Sequence, residues 1–284
     1  MPSNVIQWFP GHMAKTKRLI SETLNQVDVI IELLDARIPR SSKNPDIEKL
    51  VSPKPIITLL NKAGLADSNA SEEWRRRYAA DGRVLIITDC VSGKGIPELE
   101  AEVKRVLADK IQRYNDKGMA GRTVKAMVLG IPNVGKSSLI NKLCGKKAAN
   151  VENRPGVTLN KQWVKTSIGL DLLDMPGVLW PKFDDNTIGE NLAITGAIKD
   201  TILQKDEIAM VLCARLKKRY PDLLCQRYGL DAEEIADLDG YDIFELIGKK
   251  RGILIKGGEV NFDRCSTMLL DEFRKGVIGR ITLE

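Results

Sequence analysis

The stretch Gly130-Ile131-Pro132-Asn133-Val134-Gly135-Lys136-Ser137 satisfies the pattern G-x-x-x-x-G-K-[ST] at every fixed position. The pattern has a mechanism: its glycines let backbone N–H groups curl around phosphates, the lysine reaches the outer phosphates, and the hydroxyl after it ligates magnesium. The flanks agree with that use. Val124, Ala126, Val128 and Leu129 read as a strand running into the loop, and Ser138 to Leu143 as the helix leaving it. A helix start adds aligned N–H groups and a positive dipole end for an anion. Asn133, Val134, Gly135, Lys136, Ser137 and Ser138 are therefore candidate phosphate contacts, with Ser137 also a magnesium ligand. A turn matching by accident would lack the strand and the helix.

Around this loop the chain alternates short apolar runs with longer helical patterns. Val29 to Leu34, Ile56 to Leu60, Val84 to Ile87 and Leu170 to Leu173 read as buried strands, and Met13 to Gln26, Ser71 to Ala80 and Pro97 to Tyr114 as helices. With the strand before the phosphate loop this makes at least five parallel strands joined by crossover helices, a doubly wound α/β domain. Beyond Gly177 the pattern changes to helical periodicity, as in Ile208, Val211, Leu212 and Leu216, with short extended pieces near Ile253 to Ile255. A boundary near Pro181 is expected, giving an α/β domain with an N-terminal helical arm over 1–180 and a mainly helical domain over 181–284.

The charge is uneven. The net +6 divides into 28 Lys and Arg against 19 Asp and Glu up to Trp180, and 16 against 19 from Pro181 onward, hence +9 and −3. Nucleic-acid contact is compatible with this, though basic composition alone does not demand it. Five scattered cysteines, Cys90, Cys144, Cys213, Cys225 and Cys265, suggest neither a zinc knuckle nor a disulfide frame. No apolar run reaches the roughly eighteen residues a membrane span needs, and Met1 to Lys15 has no secretory pattern. A reducing cytoplasm is the expected location, with no membrane partner and no DNA expected.

Further motifs stand at the strand ends. Asp174-Met175-Pro176-Gly177 follows the Leu170 to Leu173 strand; the acid can hold a magnesium-bound water and Gly177 can offer its N–H to a terminal phosphate. Pro155-Gly156-Val157-Thr158 lies between the two motifs, where Thr158 could complete the magnesium shell when a third phosphate is present. Asn61-Lys62-Ala63-Gly64 resembles the base-reading N-K-x-D of the GTPase superfamily, with Gly64 where an aspartate would accept guanine's two N–H donors. Asp67, three residues on, is a weak substitute. Thr88-Asp89-Cys90-Val91-Ser92-Gly93 stands where the backbone of a further loop contacts the base, placing Asp89 and Cys90 among the candidates.

In chain order the motifs run Asn61, Cys90, Gly130, Thr158, Asp174, the reverse block order of an ordinary small GTPase. The chain resembles the circularly permuted GTPases. Its start, Gln7-Trp8-Phe9-Pro10-Gly11-His12-Met13, with Asp35-Ala36-Arg37-Ile38-Pro39 and Leu179-Trp180-Pro181-Lys182-Phe183, is similar to their branch that assembles large ribosomal subunits. That resemblance implies GTP hydrolysis to GDP with magnesium, potassium dependence through Asn133, stimulation by the large subunit and contact with its rRNA, and a late assembly role. A monomer away from the ribosome is expected.

Val178 stands where many GTPases carry a water-orienting glutamine, so intrinsic turnover should be slow. His12, the single histidine, reads by itself as a packed or capping residue; the resemblance makes it the catalytic candidate, with Arg37 and Arg40 behind it. Three basic clusters, Arg75 to Arg77, Lys217 to Arg219 and Lys249 to Arg251, are either RNA contacts or solvated helix faces. Two rivals stay open: an RNA-binding assembly scaffold with a weak nucleotide site, and a P-loop hydrolase with relaxed base choice.

Overall fold

The computed structural model describes residues 11–119, 122–145, 162–166, 169–180, 183, 185–202 and 204–284. Thr158 and the Pro155 to Val157 segment lie outside the described residues, as do Pro181 and Lys182.

The chain enters through helix α1 (Gly11–Thr23) and strand β1 (Val29–Asp35), followed by α2 (Pro45–Val51), β2 (Ile56–Asn61), α3 (Ser68–Ala80), β3 (Leu85–Ile87), α4 (Ile96–Val106), α5 (Ala108–Asp116), β4 (Val124–Gly130) and α6 (Lys136–Cys144). Strands β5 (Gln162–Lys165) and β6 (Leu170–Asp174) complete a six-stranded sheet of order β3-β2-β1-β4-β6-β5. Five strands are parallel, as their apolar runs predict, and β5 is an antiparallel edge paired to β6. The expected helix over Pro97 to Tyr114 is two helices, broken at Leu107.

Strand side chains alternate between the two faces of a sheet, and the cores follow. Ile31, Leu33, Ala126, Val128 and Leu172 point into the larger core. Ile30, Met127, Leu129 and Leu173 point the other way, where Ile20 of α1, Val27 just after it, and Ile47 and Val51 of α2 cover them. Val29–Asp35 is buried along its whole length, as befits a central parallel strand covered on both faces.

Glu32 sits mid-strand in β1 opposite Thr58, 2% exposed. Burial pushes its carboxyl from 4.5 up to about 7, with Lys43 pulling the other way. Between those values the folded chain holds a proton that the unfolded chain has lost, so this group's contribution falls as pH rises from 4.5 to 7. Glu32→Gln is expected to remove that dependence and to gain about 1–3 kcal/mol over the natural chain at pH 8 but little at pH 4.5. Urea unfolding at the two pH values checks it; an equal difference at both contradicts it.

From α7 (Asn186–Ile194) the chain is helical: α8 (Lys205–Arg219), α9 (Pro221–Tyr228), α10 (Ala232–Ile235), α11 (Gly240–Lys250) and α12 (Phe262–Arg274). The extended piece expected near Ile253 is a single bridge, Leu254 to Val260. Leu212, Leu216, Phe244 and Leu269 share one core with Leu139 and Ile140 of α6, so the helices close over one face of the sheet. The tail then returns across the α/β unit. Arg280 donates to the carbonyls of Ala63 and Ala66, Ile281 N–H to Leu65 and Leu283 N–H to Arg37. Among the described residues no helix is long and apolar enough to cross a membrane.

Candidate nucleotide site at the carboxyl edge of the sheet

In the sheet, β1 has β2 on one side and β4 on the other, and the chain's winding reverses between β1 and β4. Ligands of open α/β sheets bind outside the carboxyl ends of the strands at such a reversal. The register brings the functional residues to that edge: Asp35 lies opposite Asn61, Gly130 opposite Leu33, and Asp174 opposite Val128. Residues separated by more than a hundred positions meet because parallel strands all end on one side.

The phosphate loop follows β4 and delivers the chain into α6. Gly135 has φ of 108° and lies so near Asn61 that a Cβ there would be 2.3 Å from its amide nitrogen, so only glycine fits. Gly177 is set by close approach: a Cβ would lie 2.7 Å from the nitrogen of Pro132, so the loop after β6 rests directly on the phosphate loop. Val178 N–H donates to the Gly130 carbonyl, and its side chain is buried in apolar surroundings.

The Lys136 ammonium is buried and donates to the carbonyls of Gly130 and Ile131. Burial lowers its pKa from 10.5 to about 8, against the opposing pull of Asp174. Ser137 and Ser138 are half-buried in the first turn of α6, and Asp174 is buried at the end of β6. The residues present fit a magnesium nucleotide: a lysine, a hydroxyl and one acid around a glycine-lined loop. Magnesium needs only one or two protein ligands beside phosphate oxygens and water. No cluster of three acidic, histidine or cysteine ligands occurs among the described residues.

Asn61 ties the site together. Its amide nitrogen donates to the Val134 carbonyl at 2.8 Å, and its oxygen accepts the Cys90 N–H at 3.1 Å. One carboxamide thus joins the phosphate loop, the end of β2 and the loop after β3. Cys90 is buried, its thiol pushed up to about 12 by burial. Lys62 adopts φ of 64° and places its ammonium 2.9 Å from Asp35. Asn133, expected to face potassium, donates its carboxamide N–H to the Gly196 carbonyl at 2.7 Å, linking the phosphate loop to the turn after α7.

Three of the weaker candidates have partners within the fold. Asp67 does not swing toward the base: it caps α3, accepting from Asn69 and Ala70, and its other oxygen faces the Tyr220 hydroxyl. Arg37 is 2% exposed and forked onto Asp35, which removes it as a charge stabiliser for substrate. The basic clusters are largely engaged within the fold: Arg75 and Arg77 pair with Glu72 and Glu73, Lys217 caps carbonyls of Ala236 and Leu238, and Lys249 and Lys250 pair with Glu245 and Glu234. His12 falls in the first turn of α1; its side chain lies outside the described residues. Sequence reasoning gave Asp89 only a backbone role, whereas its carboxylate accepts the Gly64 N–H.

A family model described as 50S ribosome-binding GTPase matches residues 125–237, beginning within the strand that enters the phosphate loop. Ribosome biogenesis GTPase A of Bacillus cereus is 44% identical over 280 residues, covering 99% of this chain and 94% of the relative. The chain belongs to the ribosome biogenesis GTPase A family. The solved GDP-bound structure of TM YlqF is similar with a TM-score of 0.65 at 25% identity, covering 94% of this chain and 98% of that one. GNP-bound YlqF from T. maritima is similar with a TM-score of 0.64 at 25% identity, covering 95% and 97%. Membership makes the chain a P-loop GTPase, and the motif order expected of a permuted member agrees with this family's fold.

Proposed function

We propose that the chain is a GTP-hydrolysing assembly factor that binds the large ribosomal subunit in its GTP state, acts late in maturation of that subunit, and leaves after hydrolysis. Kinship with ribosome biogenesis GTPase A supports the ribosomal role. The observation that carries the nucleotide reading is the Asn61 bridge from Val134 to Cys90, which locks the phosphate loop to the two base-side loops as one site.

In this reading Lys136 and the N–H groups of Gly135, Ser137 and Ser138 hold the phosphates. Ser137 and Thr158 hold magnesium, Asp174 its bound water, and Asn133 a potassium ion that neutralises charge beside it. Magnesium held there would supply charge neutralisation to the phosphates. Water attacks the γ-phosphorus and the bond to the bridging oxygen breaks, leaving GDP and phosphate. Buried Val178 offers that water no polar group. Slow intrinsic turnover follows, and His12 is assigned to place the water once the subunit is bound. The helical half, residues 181–284, is the RNA-facing unit of a chain monomeric off the ribosome. Gly177 lies on the phosphate loop and α7 follows it closely in the chain, so loss of the γ-phosphate repositions that half.

Hydrolysis is measured with and without purified large subunits in magnesium and potassium. Stimulated turnover is expected, and none would favour an assembly scaffold instead. His12→Ala is expected to lower stimulated turnover by about 100-fold or more while GDP affinity stays within about twofold. A large loss of affinity would remove His12 from a purely catalytic role.

A further inference from the structure

A carboxylate reads guanine well because the base presents two adjacent donors, N1–H and the 2-amino group, and an ionised acid is acceptor-only. Position 64 carries no side chain to do this. Yet β2 and β3 are neighbours in register, Leu60 opposite Ile87, so the loops that follow them run side by side. From the second loop Asp89 reaches across: its Oδ2 accepts the Gly64 N–H at 3.0 Å. A Cβ built on Gly64 would lie 2.5 Å from that same oxygen. The carboxylate missing from residue 64 therefore occupies the space into which a side chain at 64 would project, arriving from the adjacent strand.

We propose that Asp89 is the guanine-specificity residue of this chain, its carboxylate replacing the aspartate that Gly64 lacks. The inference rests on the guanine-nucleotide reading of the site. The orientation of the acid is fixed, because Oδ1 accepts the N–H groups of Val91 at 2.9 Å and Ser92 at 3.0 Å. An ionised carboxylate offers about four lone-pair sites. Loop N–H groups bind both oxygens, two on Oδ1 and one on Oδ2, and Oδ2 is the oxygen offered to the base edge. Burial acts to raise the Asp89 carboxyl, but the N–H donors of Ser92, Gly64 and Val91 outweigh it and hold it below the ordinary value, so it is anionic at neutral pH. Gly64 and Asp89 are then one exchange: a second acid at 64 would collide with the first and repel it.

The fixed turn makes a sharp test. In Asp89→Asn, the Val91 and Ser92 N–H groups keep the amide oxygen at the Oδ1 position, so the amide nitrogen takes the place of Oδ2. A donor then faces the base edge where an acceptor stood. Affinities for GDP, XDP and ADP are measured on the full chain and its variants, with melting curves to confirm folding. The natural chain is expected to prefer GDP over XDP, whose C2 carbonyl offers no donor. Asp89→Asn should weaken GDP by about 10- to 100-fold and tighten XDP. Gly64→Asp alone should weaken GDP, and Gly64→Asp with Asp89→Asn should restore it to within a few-fold of natural. A purely structural cap at Asp89 would move the melting temperature and leave the GDP to XDP ratio unchanged. The inference is overturned if that ratio changes less than threefold in Asp89→Asn, or if the natural chain binds GDP and XDP equally. If the natural chain binds no guanine nucleotide at all, the guanine-nucleotide reading itself falls.

Discussion

Asp35→Asn is expected to destabilise the folded chain by about 3–5 kcal/mol, since it leaves buried cations without their anion. Asp35 ends β1 and is 1% exposed. Its two oxygens take a fork from Arg37, Nε at 2.9 Å and Nη2 at 2.7 Å, and the Lys62 ammonium at 2.9 Å. Burial alone would raise the Asp35 carboxyl, but Arg37 and Lys62 hold it well below the usual carboxylate range. Without the acid, Lys62 can release its proton, because burial already lowers its pKa from 10.5 to about 8. Arg37 cannot deprotonate, so the residual penalty falls on its guanidinium, which lies over the Phe273 ring at 5.5 Å. The sign with pH follows from the depressed acid: the contribution is fully present above the ordinary aspartate value of 3.8 and is lost as pH falls below it. Urea unfolding at pH 7 should show the full loss. The difference between the variant and the natural chain should shrink steadily as pH falls below 3.8 and vanish only where the folded carboxyl itself takes up a proton. A loss under 1 kcal/mol at pH 7 would mean that the cluster is solvated in solution.

Much of this was legible in the sequence because strand periodicity and the phosphate loop are local signals. Val29 to Leu34 and Val124 to Leu129 declare buried parallel strands by their residues alone, and their shared polarity dictates that Asn61, Gly130 and Asp174 meet at one edge. Helix α2 is hard to see in the sequence although its signal is present: Asn44 caps it, Pro45 follows, and Asp46 and Glu48 fill its first turn. Its seven residues are too few for periodicity to show. The carboxylate of Asp89 has no such signal, because its link to Gly64 spans two strands and appears in neither loop alone. The grip of Arg280 on Ala63 and Ala66 has no sequence signal either, since it depends on where α12 delivers the tail. The helical half therefore braces the base-side loop from behind while Asn133 and Gly196 join it to the phosphate loop. The helical half is thus attached to the carboxyl edge of the sheet at two points.

Lys136→Ala is expected to weaken GDP and GTP by about 100-fold or more, because each charge-assisted contact to phosphate contributes about 1.5–3 kcal/mol. The same change should leave folding stability level or raised at neutral pH. Lys136 is 7% exposed, and without phosphate the near partners of its ammonium are the Gly130 and Ile131 carbonyls and the Asp174 charge, which do not offset burial, the cause of its pKa of about 8. Function here is held against stability, as at many sites. The sign can be worked out. Between pH 8 and 10.5 the unfolded lysine keeps its proton and the folded one sheds it, so the natural chain gains stability as pH rises through that window. Lys62 contributes in the same direction, so the Ala variant should show a smaller rise, not none. Phosphate brings negative charge to the ammonium and raises its pKa, so nucleotide binding above pH 8 must draw in a proton. Calorimetry of GDP binding at pH 9 in two buffers of different ionisation enthalpy reads that proton directly. Uptake should approach one proton per site and fade below pH 7, and GDP affinity should weaken up to about tenfold per pH unit above 8. Binding without proton uptake at pH 9, or an Ala variant that holds GDP within threefold of the natural chain, would show that Lys136 does not reach the phosphates.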